Sequence, residues 1–205
     1  MRLFRPLFLF RLFLPRAIFR IRTDEKLLCL TFDDGPDPET TTAVLDILAA
    51  HNVKAIFFCR GSAAEINHRL VDRIKSEGHS AGNHGYRHLD GWKTNTQVYL
   101  RNFAAAVPFT SGTLLRPPWG RIRLGQYREL SGSYRIVFWD LMPYDFDNRL
   151  DGTRVLEIMK RKIRPGSVIV LHDTAASSVL SFLDEYIRFA LSEGYKFTTA
   201  LFSDN

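Results

Sequence analysis

From Leu27 to Ala200 the chain alternates short apolar runs with amphipathic stretches, and this alternation limits the fold more than any other feature. Such a pattern is that of repeated βα units carrying a parallel sheet with helices on its faces. Seven strands are predicted, over residues 27–32, 54–58, 79–83, 113–115, 134–139, 167–171 and 195–200. Between them, stretches such as residues 41–51 and 155–163 repeat apolar residues at i, i+3 and i+4, as helices require. Ser62 and Glu65 have the spacing of a capping box, and Gly78 and Gly194 each follow a Ser-Glu pair where a helix hands over to a strand. Some 180 residues of this kind close as a small barrel or stay open as a doubly wound sheet, and periodicity does not choose between them. In either case the chemistry is expected at the carboxyl ends of the strands.

A chain of 205 residues builds one sizeable core. The net charge of +6 raises nucleic acid as a partner, but residues 1–22 contain six Arg and no acid, which leaves 22 basic and 22 acidic residues in the rest. The body is therefore neutral, and no nucleic-acid partner is expected. Cys29 and Cys59 lie inside apolar runs and read as buried free thiols.

The basic, apolar arm of residues 1–22 is set apart from one domain of residues 23–205. Its longest uncharged stretch, Pro6 to Phe10, is far below the roughly 20 residues of a membrane span and shorter than a signal-peptide core. On a helix Arg2, Arg5, Arg16 and Arg20 would share one side and permit peripheral membrane contact, but Pro6 and Pro15 interrupt such a helix. Packing of the arm on the domain is the expectation. Localisation is cytoplasmic or membrane-peripheral on this reading, with no clear signal peptide or transmembrane helix.

Reactive residue types gather at the predicted strand ends. The first strand runs into Asp33-Asp34-Gly35-Pro36, the third into His84-Gly85-Tyr86-Arg87-His88, and the fourth into Arg116-Pro117-Pro118-Trp119-Gly120. Trp139-Asp140 and Tyr144-Asp145-Phe146 follow the fifth, and Leu171-His172-Asp173 closes the sixth. One carboxylate with two imidazoles at i, i+4 is a ligand set for zinc or another first-row divalent ion. The same set would suit an Fe(II) oxygenase triad, although such an enzyme has no need of Asp33 and His172 as acid and base.

In this order the segments resemble the motifs of the polysaccharide deacetylase family, the NodB-like carbohydrate esterases of family four. The resemblance covers residues 27–200. It implies an α/β fold, a distorted (β/α) barrel of about seven parallel strands, and metal-dependent removal of acetyl groups, most often N-acetyl, from an amino-sugar glycan. By motif, Asp33 is similar to the general base, and Asp34, His84 and His88 to the metal ligands. Arg116 resembles the tether of the base, His172 the general acid and Asp145 its orienting carboxylate. Trp119, where the family usually has Tyr or Phe, together with Phe146 and Leu171 would meet the substrate. The resemblance implies zinc first, with Co, Ni, Mn or Fe as alternatives, and an acetylated carbohydrate as partner. Gly85 replaces the usual Ser or Thr, and Phe146 a frequent Trp. An inactive glycan-binding homologue and an O-acetyl esterase are the alternatives.

Overall fold

The computed structural model describes residues 3–6, 12–110 and 112–201. Its centre is a parallel sheet of seven strands: β1 (Leu27–Asp33), β2 (Ile56–Cys59), β3 (Ser80–Asn83), β4 (Leu114–Leu115), β5 (Arg135–Ile136), β6 (Ser167–His172) and β7 (Lys196–Phe197). The order is β5-β4-β3-β2-β1-β6, and β7 pairs with the start of β1. Around it lie α1 (Thr40–Ala50), α2 (Gly61–Ile66), α3 (His68–Ser76), α4 (Thr96–Ala106), α5 (Leu124–Leu130), α6 (Gly152–Lys162) and α7 (Leu183–Ser192).

β1 is apolar through Leu30 because both of its faces are covered. Leu28, Leu30 and Phe32 join Ile169 and Leu171 of β6 in a core beneath α1, α6 and α7. The alternate residues turn inward, where Cys29 packs with Ile56, Phe58, Val137 and Val168. Cys29 and Cys59 are buried free thiols, and burial pushes the Cys29 pKa up to about 12.

The edges of the curled sheet are joined by the arm. Ile18 bridges to Val137 beyond β5, and Arg20 bridges to Ser167 of β6. Ile18 donates its amide to Ile136 and accepts that of Phe138, at 2.8 and 2.7 Å. Leu12 and Phe13 stay exposed, whereas Leu14, Ile18, Phe19 and Ile21 are buried in the core. The expectation of packing on the domain thus holds for these residues. Residues 1–2 and 7–11 of the arm lie outside the described part. Among the described residues no helix is long and apolar enough to cross a membrane.

Two local expectations need correction. The capping box is absent: α2 starts at Gly61 with Arg60 as its cap, and no side chain caps it. Tyr86 explains this, since its carbonyl accepts the Ser62 amide (3.1 Å) and its hydroxyl donates to Glu65 (2.6 Å). The seventh strand is shorter than predicted, and so is the fifth, where residues 137–141 leave β5 to bridge to Ile18 and β6 instead. The two glycine hand-overs occur as expected, with Gly78 and Gly194 both at φ +81°.

Candidate active site

Strand register brings the motifs together. Asp33 lies level with His172 of β6 and Phe58 of β2, while Cys59 is level with Asn83 and Asn83 with Leu115. The carboxyl ends of β1 to β4 and β6 therefore open onto one cavity of about 450 Å³. Asp33, Asp34, His84, His88, Trp119, Phe146 and His172 line it, as do Arg60, Arg121, Trp139, Tyr144 and Val170.

Arg116 occupies the barrel interior with 0% exposure. Its Nη1 donates to Asp33 Oδ1 and Thr31 Oγ1, both at 2.6 Å. Nε and Nη2 donate to the carbonyls of Val137 and Phe138, at 3.2 and 2.9 Å. The guanidinium also lies 4.2 Å from the centre of the Phe58 ring. A buried cation is tolerable only when its donors are used in this way. Asp33 is thus fixed through Oδ1.

Asp34 leaves β1 with φ 78°, which swings its side chain away from that of Asp33 toward the two histidines. Its Oδ1 lies 3.8 Å from His84 Nε2 and 3.3 Å from His88 Nε2. This oxygen is buried without a hydrogen-bond partner, an expensive condition unless a cation completes it. His84 Nδ1 is 2.8 Å from the Arg116 carbonyl, and a proton held there leaves Nε2 with its lone pair. Burial, with Asp34 opposing it, pushes the His84 pKa down to about 3; burial also lowers that of His88. The three ligand atoms lie within 4.8 Å of one another, and neutral imidazoles beside a carboxylate fit a divalent ion.

Gly85 has φ +76°, and a Cβ there would sit 2.5 Å from Asn102 Nδ2. The loop is braced without a hydroxyl: Asn83 Oδ1 accepts the Gly85 amide, and Asn102 both accepts from and donates to the backbone of Arg87, each at 2.8 Å. Across the cavity, Asp145 Oδ1 meets His172 Nδ1 at 2.9 Å, and its Oδ2 accepts the His172 amide and the Ser177 hydroxyl, both at 2.7 Å. Burial pulls the His172 pKa down, but the charge and hydrogen bond of Asp145, aided by Asp33 and Asp34, carry it up to about 9.

Trp119 stands 61% exposed over His88, with ring centres 4.7 Å apart. Its backbone is left-handed (φ 60°), and among the described residues its N–H meets no acceptor. Phe146 packs edge-on against His172 at 4.8 Å. Leu171 does not reach the cavity: it is fully buried on the helix-facing side of β6, and the period of two presents its neighbour Val170 instead.

The sequence reading missed Arg60, Ser177, Asn102 and Asp173. Asp173 accepts the Gly35 amide (3.1 Å) and the Thr41 hydroxyl (2.6 Å), clipping the Asp33–Pro36 turn to α1. A Cβ on Gly35 would lie 2.1 Å from Asp173 Oδ2, so only glycine fits. The adjacent His172-Asp173 pair is the one signal for Asp173 that the sequence offers.

The family profile described as polysaccharide deacetylase matches residues 20–128. The chain belongs to this family. It is 34% identical over 186 residues, 84% of its length, to a peptidoglycan-N-acetylglucosamine deacetylase of Bacillus cereus, of which it spans 66%. Other relatives are longer, and the chain spans 38% of one that is equally similar. A chitooligosaccharide deacetylase of Sinorhizobium fredii is 34% identical, with 84% of both chains covered. The crystal structure of a peptidoglycan N-acetylglucosamine deacetylase with 4-naphthalen-1-yl-N-oxidanyl-benzamide superposes with a TM-score of 0.84 at 32% identity, covering 89% of each chain. The α/β architecture of this family chain is thus the curled parallel sheet of the deacetylases. Family deacetylases are metal-dependent, in keeping with the cluster of Asp34, His84 and His88.

Proposed function

We propose that the protein is a hydrolase that removes an acetyl group from an acetamido sugar of a glycan. The observation that carries this reading is the convergence on one cavity of three elements: the Asp33–Arg116 pair, the Asp34–His84–His88 cluster and the His172–Asp145 pair. Family names add support, since the relatives are deacetylases of peptidoglycan and chitooligosaccharides.

Asp34, His84 and His88 would hold the divalent ion, with zinc first by ligand type. When bound, such an ion polarises the acetyl carbonyl and lowers the pKa of a coordinated water toward about 7. Asp33, held by Arg116 through Oδ1, keeps Oδ2 to take the proton of the attacking water. As water oxygen adds to the acetyl carbon, the Trp119 backbone N–H, which meets no acceptor among the described residues, is the protein donor for the developing oxyanion. Cleavage of the C–N bond then needs a proton on the departing amine. His172 supplies it from Nε2, because its Nδ1 is engaged by Asp145 and its raised pKa keeps it charged at neutral pH. Trp119 and Phe146 offer flat faces for the sugar.

Metal-reconstituted protein, incubated with acetylated chitooligosaccharides and peptidoglycan fragments, should release acetate, and Asp33→Asn should abolish nearly all of it. Binding of the glycans without acetate release from any of them would instead mark a glycan-binding homologue, and release from O-acetylated glycans alone would mark an esterase.

A further inference from the structure

Three arginines surround the candidate site, and they differ in what their donors do. Arg116 spends its donors on the barrel interior. Arg121 is paired with Asp90 at 2.6 Å and stacked over Trp92 at 5.1 Å. Arg60, at the end of β2 and on the cavity wall, uses Nε alone, donating to the Asp34 carbonyl at 2.9 Å. The nearest carboxylate, Asp34, stands 4.0 Å from that same Nε, too far for a hydrogen bond and facing the two histidines. Among the described residues the two terminal nitrogens of Arg60 have no acceptor.

The single bond that Arg60 does make bears on its role. Because Nε is anchored on the backbone of the metal-ligand turn, the guanidinium is oriented rather than sweeping freely, so less freedom is lost when a ligand binds. A planar guanidinium with a free edge suits two parallel bonds to a carboxylate or phosphate group. The exposed rings of Trp119 and Phe146 line the same cavity, so an oxyanion at Arg60 and a pyranose ring on the aromatics would belong to one ligand.

We propose that Arg60 is a specificity residue that reads an anionic substituent, a carboxylate or a phosphate, on the sugar being deacetylated or on its neighbour. The inference rests on the deacetylase reading for the position of the sugar, and it names the substrate class: anionic rather than neutral acetamido glycans.

Three ligands test it: neutral chitotetraose, a glycan fragment with a carboxylate-bearing sugar beside N-acetylglucosamine, and N-acetylglucosamine 6-phosphate. For each, kcat/KM for acetate release and Kd by calorimetry are measured on the wild type, Arg60→Gln and Arg60→Lys at two salt concentrations. The ratio of anionic to neutral kcat/KM cancels general damage to the turn. That ratio should exceed one in the wild type, fall about tenfold or more in Arg60→Gln, and recover in part in Arg60→Lys. Whichever anionic ligand loses more identifies the source of the oxyanion. An equal preference for neutral glycan in the wild type, or an anionic-to-neutral ratio untouched by Arg60→Gln, would overturn the proposal. Should no ligand release acetate, the deacetylase reading fails by itself, and the Kd values still decide for or against Arg60: anionic affinity must drop on substitution and weaken with salt.

Discussion

On one flank of the cavity His84 and His88 are held neutral, the first with a pKa pushed down to about 3; on the other, His172 is carried up to about 9. All three are drawn from a ring whose ordinary pKa is about 6.5. Burial lowers the pKa on both flanks, so it cannot explain the divergence. The partner of Nδ1 does. His84 Nδ1 meets a peptide carbonyl, which fixes a tautomer but brings no charge, whereas His172 Nδ1 meets the buried carboxylate of Asp145. A neutral ring offers a lone pair and a charged ring offers a proton, so the two flanks are equipped for opposite tasks.

The ligand flank should give the largest effects when broken. Asp34→Asn or His84→Ala should remove both bound metal, by elemental analysis, and acetate release to below detection. Retention of a full equivalent of metal by a His84→Ala, His88→Ala double variant would sink the ligand assignment. Asp33→Asn is the control within the same turn. It should keep the metal while losing activity by about 10² to 10⁴, the usual contribution of a general base. Arg116→Met should act differently again, leaving Asp33 as a buried charge without its cation and costing about 3 to 5 kcal/mol of stability in thermal or denaturant unfolding.

How far these contrasts were legible in the sequence depends on distance along the chain. Asp33, Asp34, His84, His88 and His172 could be placed because strand ends in a parallel sheet share one rim, so motif and topology pointed alike. Leu171 misses the cavity for the reason that Val170 and His172 reach it. Residues one apart on a strand face opposite sides, and Leu171 faces the helices. Arg60 was invisible because its significance lies in what it lacks, and Asn102 because it reaches the metal loop from α4, 15 residues away. The role of the arm in joining β5 to β6 was equally unreadable, since single bridges at Ile18 and Arg20 leave no periodic trace.

On the acid flank, the effect should depend on the leaving group. An amine cannot leave a tetrahedral intermediate as its anion, whereas a phenolate of pKa near 10 can. His172→Ala should therefore impair acetamido-sugar hydrolysis severely, spare much of any aryl acetate hydrolysis and leave metal content unchanged. Equal losses on both substrates would move His172 to the oxyanion or the fold. The pH dependence follows from the same pair. With the folded pKa raised from 6.5 to about 9, the pair stabilises the fold fully below about pH 6.5, and this contribution is lost as pH rises through about 9. NMR titration of the metal-free protein should place the His172 midpoint near that value, and Asp145→Asn should lower it, because burial is then opposed only by the charges of Asp33 and Asp34. A midpoint unmoved by Asp145→Asn would mean that the carboxylate does not set the charge.

The smallest expected effect comes from the start of the arm, where Leu3 and Phe4 meet the acid flank. The Leu3 carbonyl accepts the Tyr144 hydroxyl and the Phe4 carbonyl accepts the Met142 amide, both at 2.9 Å. From there the Phe4 ring meets Tyr144 edge-on at 5.7 Å, Tyr144 lies 5.7 Å from Phe146, and Phe146 lies 4.8 Å from His172. Tyr144 has φ 66°, a left-handed conformation that costs of order 1 to 3 kcal/mol and persists only where neighbours over-determine it. Leu3 and Phe4 are among those neighbours. Deleting residues 1–6 should thus relax the Tyr144 loop, lowering kcat/KM a few-fold on acetamido sugars and the melting temperature by a few degrees, about what one or two lost hydrogen bonds produce in a chain of this size. Metal content should not change, because no residue of the trio contacts this part of the arm among the described residues. If the deletion released metal as readily as it slowed turnover, the two flanks would not be independent. If it left both rate and stability untouched but removed binding to anionic vesicles, the arm would serve a membrane surface rather than the acid flank.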